Sequence, residues 1–499
     1  ATIFRGGFDL PALIEVSQAL GFDPGLTAAN LAQLVEKSLI VLRDVDQNLR
    51  RYALLEPVRQ FGFERMQIGP LFERALDAHA EHYLQLAEAV GPELHGRQRK
   101  INIRTLELDA DNLRAALRRH LKCRRSEVCL RFAHALWEGY WLNLGYFTEG
   151  RDWVDQVLKI SDESMGFLYG STRLARGAFE WTLGSVDKAL DHVLQALEHG
   201  ERIGEARLIQ WALYWKAIVI FDRSDFTIAA EVLTQAYRVA QEAGETRGAA
   251  WAVFYQAQIA RVKGQTERAI VLYKEALAVL SELDIFGAGW CFIYLGHLAN
   301  EQQNLDMARE YLSKSLDIFD DLNNPRGLGG TERGLGLVEL EAGDLEKADM
   351  HLRRSRHLFE QLGWIKMSSS SMIYLGLIAT LTGRVEEASD LLIESLTYED
   401  RQGDWHSIAH LLFVFGLLAI HRGKEQVGLE LFLSAEEIQQ ELEVSFPRHL
   451  VVAVEQARSG ITPSITDAVH RQAAELTPLI LANHRDWLTE LGNAIQDRS

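Results

Sequence analysis

Residues that cross-link or interrupt a polypeptide are scarce in this sequence. Its 499 residues include 3 cysteines, 9 prolines and 38 glycines. Cys123, Cys129 and Cys291 form no CxxC pair and are too few for a disulfide framework, so we expect a reducing compartment, the cytoplasm. The low proline and glycine content favours a chain that is mostly helical.

Long apolar runs and an excess of positive charge are also missing. No stretch of 18 uncharged apolar residues occurs, and the first fifteen residues lack a basic segment followed by an apolar one. We therefore expect neither a membrane span nor an export signal. The net charge of -18 disfavours binding to nucleic acid or to anionic membranes, because both carry negative charge.

The acidic excess is confined to one part of the chain. Residues 1–130 hold 18 basic and 17 acidic side chains, which leaves 34 basic and 53 acidic ones for residues 131–499. A chain of this length suits about three average domains or one elongated array. The charge step predicts a boundary near residue 130.

The second part of the chain contains an internal repeat of about 40 residues, which indicates a helical solenoid. Seven consecutive units carry Gly, Ala or Ser at the same three positions. These positions are Gly177, Ala189 and Ala196; Ala217, Ala229 and Ala236; Ala257, Ala269 and Ala276; Gly296, Ala308 and Ser315; Gly336, Ala348 and Ser355; Gly376, Ala388 and Ser395; and Gly416, Gly428 and Ala435. Spacings of twelve and seven residues with a turn between predict two closely packed helices in each unit.

This spacing resembles the tetratricopeptide repeat, although the units of that family usually have 34 residues. The resemblance implies an all-α, right-handed solenoid of helical hairpins over residues 130–446, with seven clear units and one degenerate unit around Gly145, Gly150 and Trp153. Residues 447–499 are predicted to be capping helices, with helix starts at Thr462-Pro463 and Thr477-Pro478.

The first 68 residues follow a different pattern. Residues 10–20 and 27–38 are predicted to be helices, and SLIVLRD and RRYALLE are predicted to be strands that flank the turn DVDQN. A third helix is predicted to begin at Pro57. Helices followed by a β-hairpin predict a winged-helix domain over residues 1–68, with a helical connector over residues 69–129.

Several segments resemble bacterial STAND-type signal-transduction ATPases of the LuxR or AfsR type. They include FRGGFDL, LVEKSLIV, RYALLEPVRQFGFERM, LDAHAEHYLQLAE, LDADNLRAALRRHL and LWEGYWLNLGYFTEGRDW. In that family an ATPase module precedes the winged helix, and the repeats sense a ligand or partner that releases an autoinhibited state. The 499 residues contain no GxxxxGKS or GxxxxGKT loop. The resemblance therefore implies a non-enzymatic part of a longer regulator, in which only the upstream module needs ATP or ADP.

Charged residues of the N-terminal part are candidates for contacts with other modules. Glu56 and Arg59, at the start of the third predicted helix, are predicted to contact the ATPase module. A basic run on the connector includes Arg114, Arg118 and Arg119 and is expected to be solvated or to dock within the molecule. The alternative is contact with nucleotide, an acidic partner or nucleic acid.

Patterns typical of catalysis and metal binding are missing. His79 and His82 lie three residues apart and His406 and His410 four apart, but neither pair brings the further donors that zinc requires. No HExxH, GxSxG or Cys-His pattern occurs. We therefore expect neither catalysis nor a metal site.

The first helix of each unit lines the groove of a tetratricopeptide array, and here those helices combine aromatic and polar residues. The predicted binding residues on this concave face are Trp211, Tyr214, Phe221, Trp251, Phe254, Gln258, Arg261, Trp290, His297, Asn300 and Arg333. This lining suits a peptide, a protein or a small sugar-like ligand. The alternative is that the recurring tryptophans only pack one hairpin against the next.

Two functions agree with this pattern. The first is the ligand- or protein-sensing and autoregulatory region of a STAND-type transcriptional or signalling regulator. The second is a stand-alone tetratricopeptide scaffold for protein assembly. An ATP-binding domain upstream in the same reading frame distinguishes them, because a scaffold needs none.

Overall fold

The computed structural model describes residues 1–46, 49–96, 98–402 and 404–461. In these residues the chain forms 23 α-helices and a single two-stranded sheet, so the all-α prediction is confirmed. Contacts within the chain divide it into two compact units. The first unit consists of residues 1–143 and 149–175, and the second of residues 144–148 and those from Arg176 onward.

The first unit begins with two helices, a hairpin and a third helix. These are α1 (Leu10–Ala19), α2 (Pro24–Glu36), β1 (Ile40–Asp46), β2 (Leu49–Leu54) and α3 (Glu56–Gln67). The carboxylates of Asp9 and Asp23 cap α1 and α2 by accepting hydrogen bonds from backbone nitrogens three residues on, both at 2.8 Å. The strands pair antiparallel, with Ile40 opposite Leu54. This order matches the predicted elements, and the winged-helix assignment stays a prediction.

Five further helices of the first unit follow α3, and a buried polar network ties the hairpin to them. They are α4 (Phe72–Val90), α5 (Arg99–Leu108), α6 (Ala110–Lys122), α7 (Ser126–Leu136) and α8 (Phe147–Leu158). Arg51 of β2 donates to both carboxylate oxygens of Asp109, at 2.8 and 2.7 Å, and Tyr83 and Asn112 donate to the same carboxylate. Because loss of one partner leaves a buried charge unpaired, the network fixes β2 on the connector.

Helical hairpins make up the described part of the second unit. The pairs are α9 (Gly166–Thr182) and α10 (Val186–Ile203), α11 (Ala206–Asp222) and α12 (Phe226–Glu242), α13 (Thr246–Val262) and α14 (Thr266–Leu283), α15 (Ile285–Glu301) and α16 (Leu305–Asp321), α17 (Pro325–Glu341) and α18 (Leu345–Leu362), α19 (Ile365–Leu381) and α20 (Val385–Gln402), and α21 (Trp405–His421) and α22 (Glu425–Leu442). The predicted array of helical repeats is thereby confirmed.

The two helices of a hairpin differ in burial. The first helix is buried around most of its circumference, as in α15, where twelve of seventeen residues are buried. The second buries a single stripe, as in α16 with Ala308, Leu312, Ser315 and Phe319. We call the first helix of each hairpin the inner helix and the second helix the outer helix. The inner helices are α9, α11, α13, α15, α17, α19 and α21.

The small residues of the repeat lie where the helices of one hairpin cross. A β-carbon added to Gly336 would lie 2.7 Å from Cγ of Leu352, and one added to Gly376 would lie 2.6 Å from Cδ2 of Leu392. Such distances are shorter than van der Waals contact, so a larger side chain would push the helices apart. The repeat of Gly, Ala and Ser therefore reflects the close packing inside each hairpin.

The last described helix is α23 (Arg448–Ser459), which begins where the repeat pattern ends. Its residues Leu450 and Val454 are buried in the same apolar cluster as α19 and α21. This placement agrees with a cap at the end of the array. The helix starts predicted at Thr462 and Thr477 lie outside the described residues.

Candidate functional site

The second unit winds until residues about 180 positions apart meet. The hydroxyl of Ser224, after α11, lies 3.4 Å from the carboxylate of Asp404, a separation of 180 residues, and accepts a hydrogen bond from the backbone nitrogen of His406 at 3.1 Å. The backbone nitrogen of Ser445 donates to the carbonyl of Val262 at 2.8 Å. The array thus completes one turn and its edges meet, and we call the side of the inner helices that faces the centre of this turn the interior.

A charged cluster joins the two ends of this turn. Nζ of Lys366 lies 2.8 Å from Oδ1 of Asp222 and 3.1 Å from Oδ2 of Asp404. Nε1 of Trp181 donates to the other oxygen of Asp222 at 2.5 Å. One ammonium group therefore bridges the end of α11 and the start of α21. We call Trp181, Asp222, Lys366 and Asp404 the closing cluster.

Burial sets the protonation of the carboxyl groups around Lys366. It raises the pKa of Asp222, against the opposing effect of the ammonium group. Burial acts in the same direction on Asp404, but Lys366 and His406 outweigh it and hold the pKa of that carboxyl below its usual value. Burial raises the pKa of Glu399, which accepts a hydrogen bond from Ser369 at 2.7 Å, to about 8. The directions of these shifts favour Asp404 over Asp222 as the ionised partner of Lys366.

Lys366 occupies a repeated position, the second residue of an inner helix. The equivalent residues are Arg207, Arg247, Phe286, Arg326 and His406. Arg247 pairs with Asp284 at 3.1 Å and Arg326 stacks 4.3 Å above Trp364, and each partner immediately precedes the next inner helix. Side chains at this position therefore tie one repeat to the next, and Lys366 also reaches across the turn to Asp222.

Most aromatic residues predicted on the groove are packed between hairpins. Four of them are each less than 10% exposed, namely Tyr214, Trp251, Phe254 and Trp290. Nε1 of Trp251 donates to Oδ2 of Asp284 at 3.1 Å and so contacts the start of the next inner helix. Trp211 and Phe221 are half-buried. All six lie on inner helices, and their binding role stays a prediction.

The polar residues of the predicted groove come from three successive inner helices. They are Gln258, Arg261, His297, Asn300 and Arg333. The guanidinium group of Arg261 lies 5.5 Å above the ring of Tyr294, and that of Arg333 donates to Ser370 at 2.9 Å. Burial, followed by the charges of Arg333 and Arg261, lowers the pKa of His297 well below its usual value. The two arginines therefore lie close enough to act on one imidazole.

The predicted contact residues at the start of α3 are paired with each other. Arg59 donates two hydrogen bonds to the carboxylate of Glu56, at 2.8 and 2.5 Å. This pairing holds the pKa of the Glu56 carboxyl below its usual value. The role that we predicted for the pair, contact with an ATPase module, stays a prediction.

The basic residues of α6 also find partners within the first unit. Arg114 pairs with Glu149 at 2.7 Å, and Arg119 pairs with Asp77 at 2.8 Å. The guanidinium group of Arg118 lies 5.7 Å from the centre of the Trp153 ring. These contacts agree with docking inside the molecule, and contact with an external partner stays a prediction.

The histidine pairs serve in ordinary side-chain contacts. His79 is buried and hydrogen-bonds to Asn112 at 3.2 Å, and His82 pairs with Glu15 at 2.7 Å. The rings of His406 and His410 lie 4.5 Å apart. Among the described residues no three side chains are grouped to hold a metal ion. Over the same ranges no helix combines the length and the apolar character that a membrane crossing demands.

Asp222, Lys366 and Asp404 are not among the site residues predicted from the sequence. A signal was present in the segments that precede the inner helices, GETRG, NNPRG, GWIKM and GDWHS, which align charged or aromatic residues at 40-residue intervals. The alignment reveals the contact between neighbouring repeats. It does not reveal that Lys366 meets Asp222, because that contact depends on how far the array rises in one turn.

Comparison with known proteins agrees with the repeat fold. A tetratricopeptide repeat family model matches residues 291–361. Proteins described as HTH-type transcriptional regulators in Mycobacterium tuberculosis and Mycobacterium bovis are 32% identical over 157 residues, which cover 31% of this chain. The matched region spans only 17% of the length of those relatives.

Two solved structures are among those similar to this chain. A Rap protein complexed with competence and sporulation factor has 14% identity and a TM-score of 0.49, over 74% of this chain and 99% of that one. A STAND protein with a tetratricopeptide repeat sensor from Pyrococcus horikoshii has 13% identity and a TM-score of 0.48, over 89% and 63%. The chain is an all-α protein of repeated helical hairpins, and the tetratricopeptide repeat model matches part of this array.

Proposed function

We propose that this chain is the sensing and autoregulatory region of a larger STAND-type regulator, with a winged helix at its N-terminal end. A peptide or protein segment binds in the interior of the second unit. The observation that supports this proposal is the lining of the interior by charged side chains beside the closing cluster. A purely structural core would exclude such groups, because burial of charge is costly.

The contact between the ends of the turn provides the two states that a sensor needs. The ends meet through polar contacts such as Ser224 with Asp404 and through the rings of Phe226 and His406, 6.1 Å apart, whereas a hairpin such as that of α16 buries a continuous apolar stripe. Polar edge contacts open at a lower free energy than packed hairpins unfold. A ligand that binds the open turn more tightly than the closed one therefore shifts the population towards the open turn.

A first experiment tests the interior as the binding site. The purified chain is incubated with a peptide fraction of bacterial extract and examined by native mass spectrometry. We expect a retained species whose occupancy falls at least tenfold in Tyr255→Ala, because Tyr255 is half-buried on α13 and lies near Asp222 and Lys366. The matched control is Tyr237→Ala on the outer helix α12, which leaves binding unchanged.

The reverse pattern supports a scaffold instead. A scaffold partner can bind the outer helices, on which 63% of Val271 and 57% of Met350 are exposed. Loss of binding in Tyr237→Ala together with full binding in Tyr255→Ala would assign the partner to the outer surface and contradict the sensor proposal.

A second experiment tests the closing cluster. Lys366→Met removes the ammonium group that bridges Asp222 and Asp404, so we expect faster hydrogen exchange in the turns at residues 222–226 and 404–407. Lys347→Met is the control, because Lys347 pairs only with nearby Asp344 on the outer surface, at 2.7 Å. Equal exchange in both variants would show that Lys366 does not hold the turn closed.

A further inference from the structure

The interior contains a group of basic and polar side chains, each with one buried nitrogen or oxygen that has no hydrogen-bond partner among the described residues. We call this group the basic chamber; its residues are Arg261, His297, Asn300, Arg333, His410 and His449. They come from α13, α15, α17, α21 and α23. Both arginine Nε atoms, the three histidine Nε2 atoms and Oδ1 of Asn300 are buried without a hydrogen-bond partner.

The residues of the chamber lie close together. The charges of Arg333, Arg261 and His449 all act on His297, and those of His449 and Arg261 act on His410. The ring of His449 lies 5.3 Å from that of Tyr374, whose hydroxyl feels the charges of Arg333 and Arg261. Side chains that are far apart in sequence therefore surround one region of the interior.

The two arginines of the chamber form no ion pair among the described residues. The hydrogen bonds of Arg261 and Arg333 go to the neutral groups of Gln258 and Ser370. The nearby carboxyl is Glu301, and burial raises its pKa. This arrangement contrasts with the sequence of residues 131–499, in which 53 acidic side chains outnumber 34 basic ones.

Arg261 and Arg333 are half-buried, and a half-buried guanidinium group without an ion pair costs stability unless a ligand supplies the missing charge. We propose that the basic chamber binds an anionic group, a carboxylate or a phosphate, of the ligand held in the interior. The inference rests on the proposed function and adds the chemical class of the ligand. Guanidinium groups donate paired hydrogen bonds to both kinds of anion, and the unpartnered histidine nitrogens supply further donors. The hydroxyls of a neutral sugar would leave both positive charges unbalanced.

Thermal unfolding of the purified chain tests the ligand class. Phosphate, succinate and citrate are titrated at constant ionic strength set with sodium chloride, and maltose serves as the neutral probe. We expect at least one of the three anions to raise the melting temperature saturably above the chloride reference. A response to phosphate alone assigns a phosphate group, and a response to succinate or citrate assigns a carboxylate. Failure of all three anions, or a response to maltose only, would overturn the proposal.

Variants locate the site. Arg261→Gln and Arg333→Gln are each expected to weaken the response to the anion at least tenfold. Without anion they should melt at the same or a higher temperature, because a half-buried charge without an ion pair has been removed. Arg268→Gln, on the exposed face of α14, is the control and keeps the full response. Equal weakening in the control would show that the anion acts on the surface charge and would overturn the proposal.

The results separate this inference from the proposed function. Ligand capture that depends on Tyr255, without an anion response, keeps the interior as the binding site and removes the basic chamber as the anion site. An anion response that depends on Arg261 and Arg333, without capture from extract, supports the chamber and counts against a peptide as the occupant.

Discussion

At the scale of single residues, Trp251 shows that a residue predicted to bind a ligand also packs one repeat against the next. Its indole is buried and donates to Asp284 of the next repeat, although it lies on an inner helix. The sequence predicts the recurrence of tryptophan at this position. It cannot predict which rings point between hairpins, because that depends on the rotation of each helix about its axis.

Replacement of Trp251 by alanine tests the packing role. We expect the free energy of unfolding to fall by roughly 3–5 kcal/mol, the usual cost of deleting a large buried aromatic side chain. Trp211→Ala is the matched comparison and should lose less, because Trp211 is only half-buried. Urea denaturation of both variants measures the difference. A wild-type unfolding midpoint combined with loss of ligand would instead identify Trp251 as a binding platform.

At the scale of the helical hairpin, the sequence predicts the fold well. The register of small residues gives the crossing point of each pair, and the structure places Gly376 against Leu392 there. Element ends are less well predicted. Helix α2 begins at Pro24 rather than at residue 27, because Asp23 caps it and proline is favoured in the first turn.

A double-mutant cycle tests the contact between Gly376 and Leu392. We expect Gly376→Ala to lower the free energy of unfolding by roughly 1–3 kcal/mol, since the new methyl group overpacks the crossing. In a Leu392→Ala background the same change should cost much less, because the space is then free. Thr397→Ala, on the exposed face of α20, is the control. Additive effects of Gly376→Ala and Leu392→Ala would show that the two positions do not interact.

At the scale of the whole repeat array, buried histidines predict a loss of stability in acid. Burial lowers the pKa of His406 and of His449 from 6.5 to about 4. When the pKa of a group is lower in the folded state than in the unfolded state, the group stabilises the fold at pH values above its unfolded-state pKa. For these histidines the contribution is lost as pH falls from 6.5 towards 4. Glu399 acts in the opposite sense: its raised pKa stabilises the fold at low pH, and the contribution is lost as pH rises from 4.5 to about 8.

The melting temperature measured from pH 4 to pH 9 should therefore rise steeply up to about pH 6.5, as the histidines lose their protons, and then decline gently, as Glu399 ionises. Glu399→Gln should remove much of the decline, because glutamine does not titrate. His449→Gln should make the acidic side shallower. A flat profile between pH 4 and pH 6.5 would contradict the lowered histidine pKa values.

The contacts that close the turn mark the limit of prediction from this sequence. A 40-residue period predicts which hairpins are neighbours. Small changes in the angle between repeats decide whether Asp222 comes close enough to Asp404 for one lysine to pair with both. The partners of Lys366 thus depend on the sum of several hairpin angles. Lys366 pairs with Asp404 of the adjacent repeat and also with Asp222, which belongs to a distant part of the chain.

The separation of 180 residues between the contacting edges also sets an order of events on the ribosome. At about 5–20 residues per second, Asp404 is synthesised on the order of ten to forty seconds after Ser224. The earlier hairpins can fold locally in that interval, while their charged ends stay exposed to solvent and to chaperones. The turn can close only after the seventh hairpin has left the ribosome. A newly made chain therefore passes through an open state, in which a partner can reach the interior, before the turn closes.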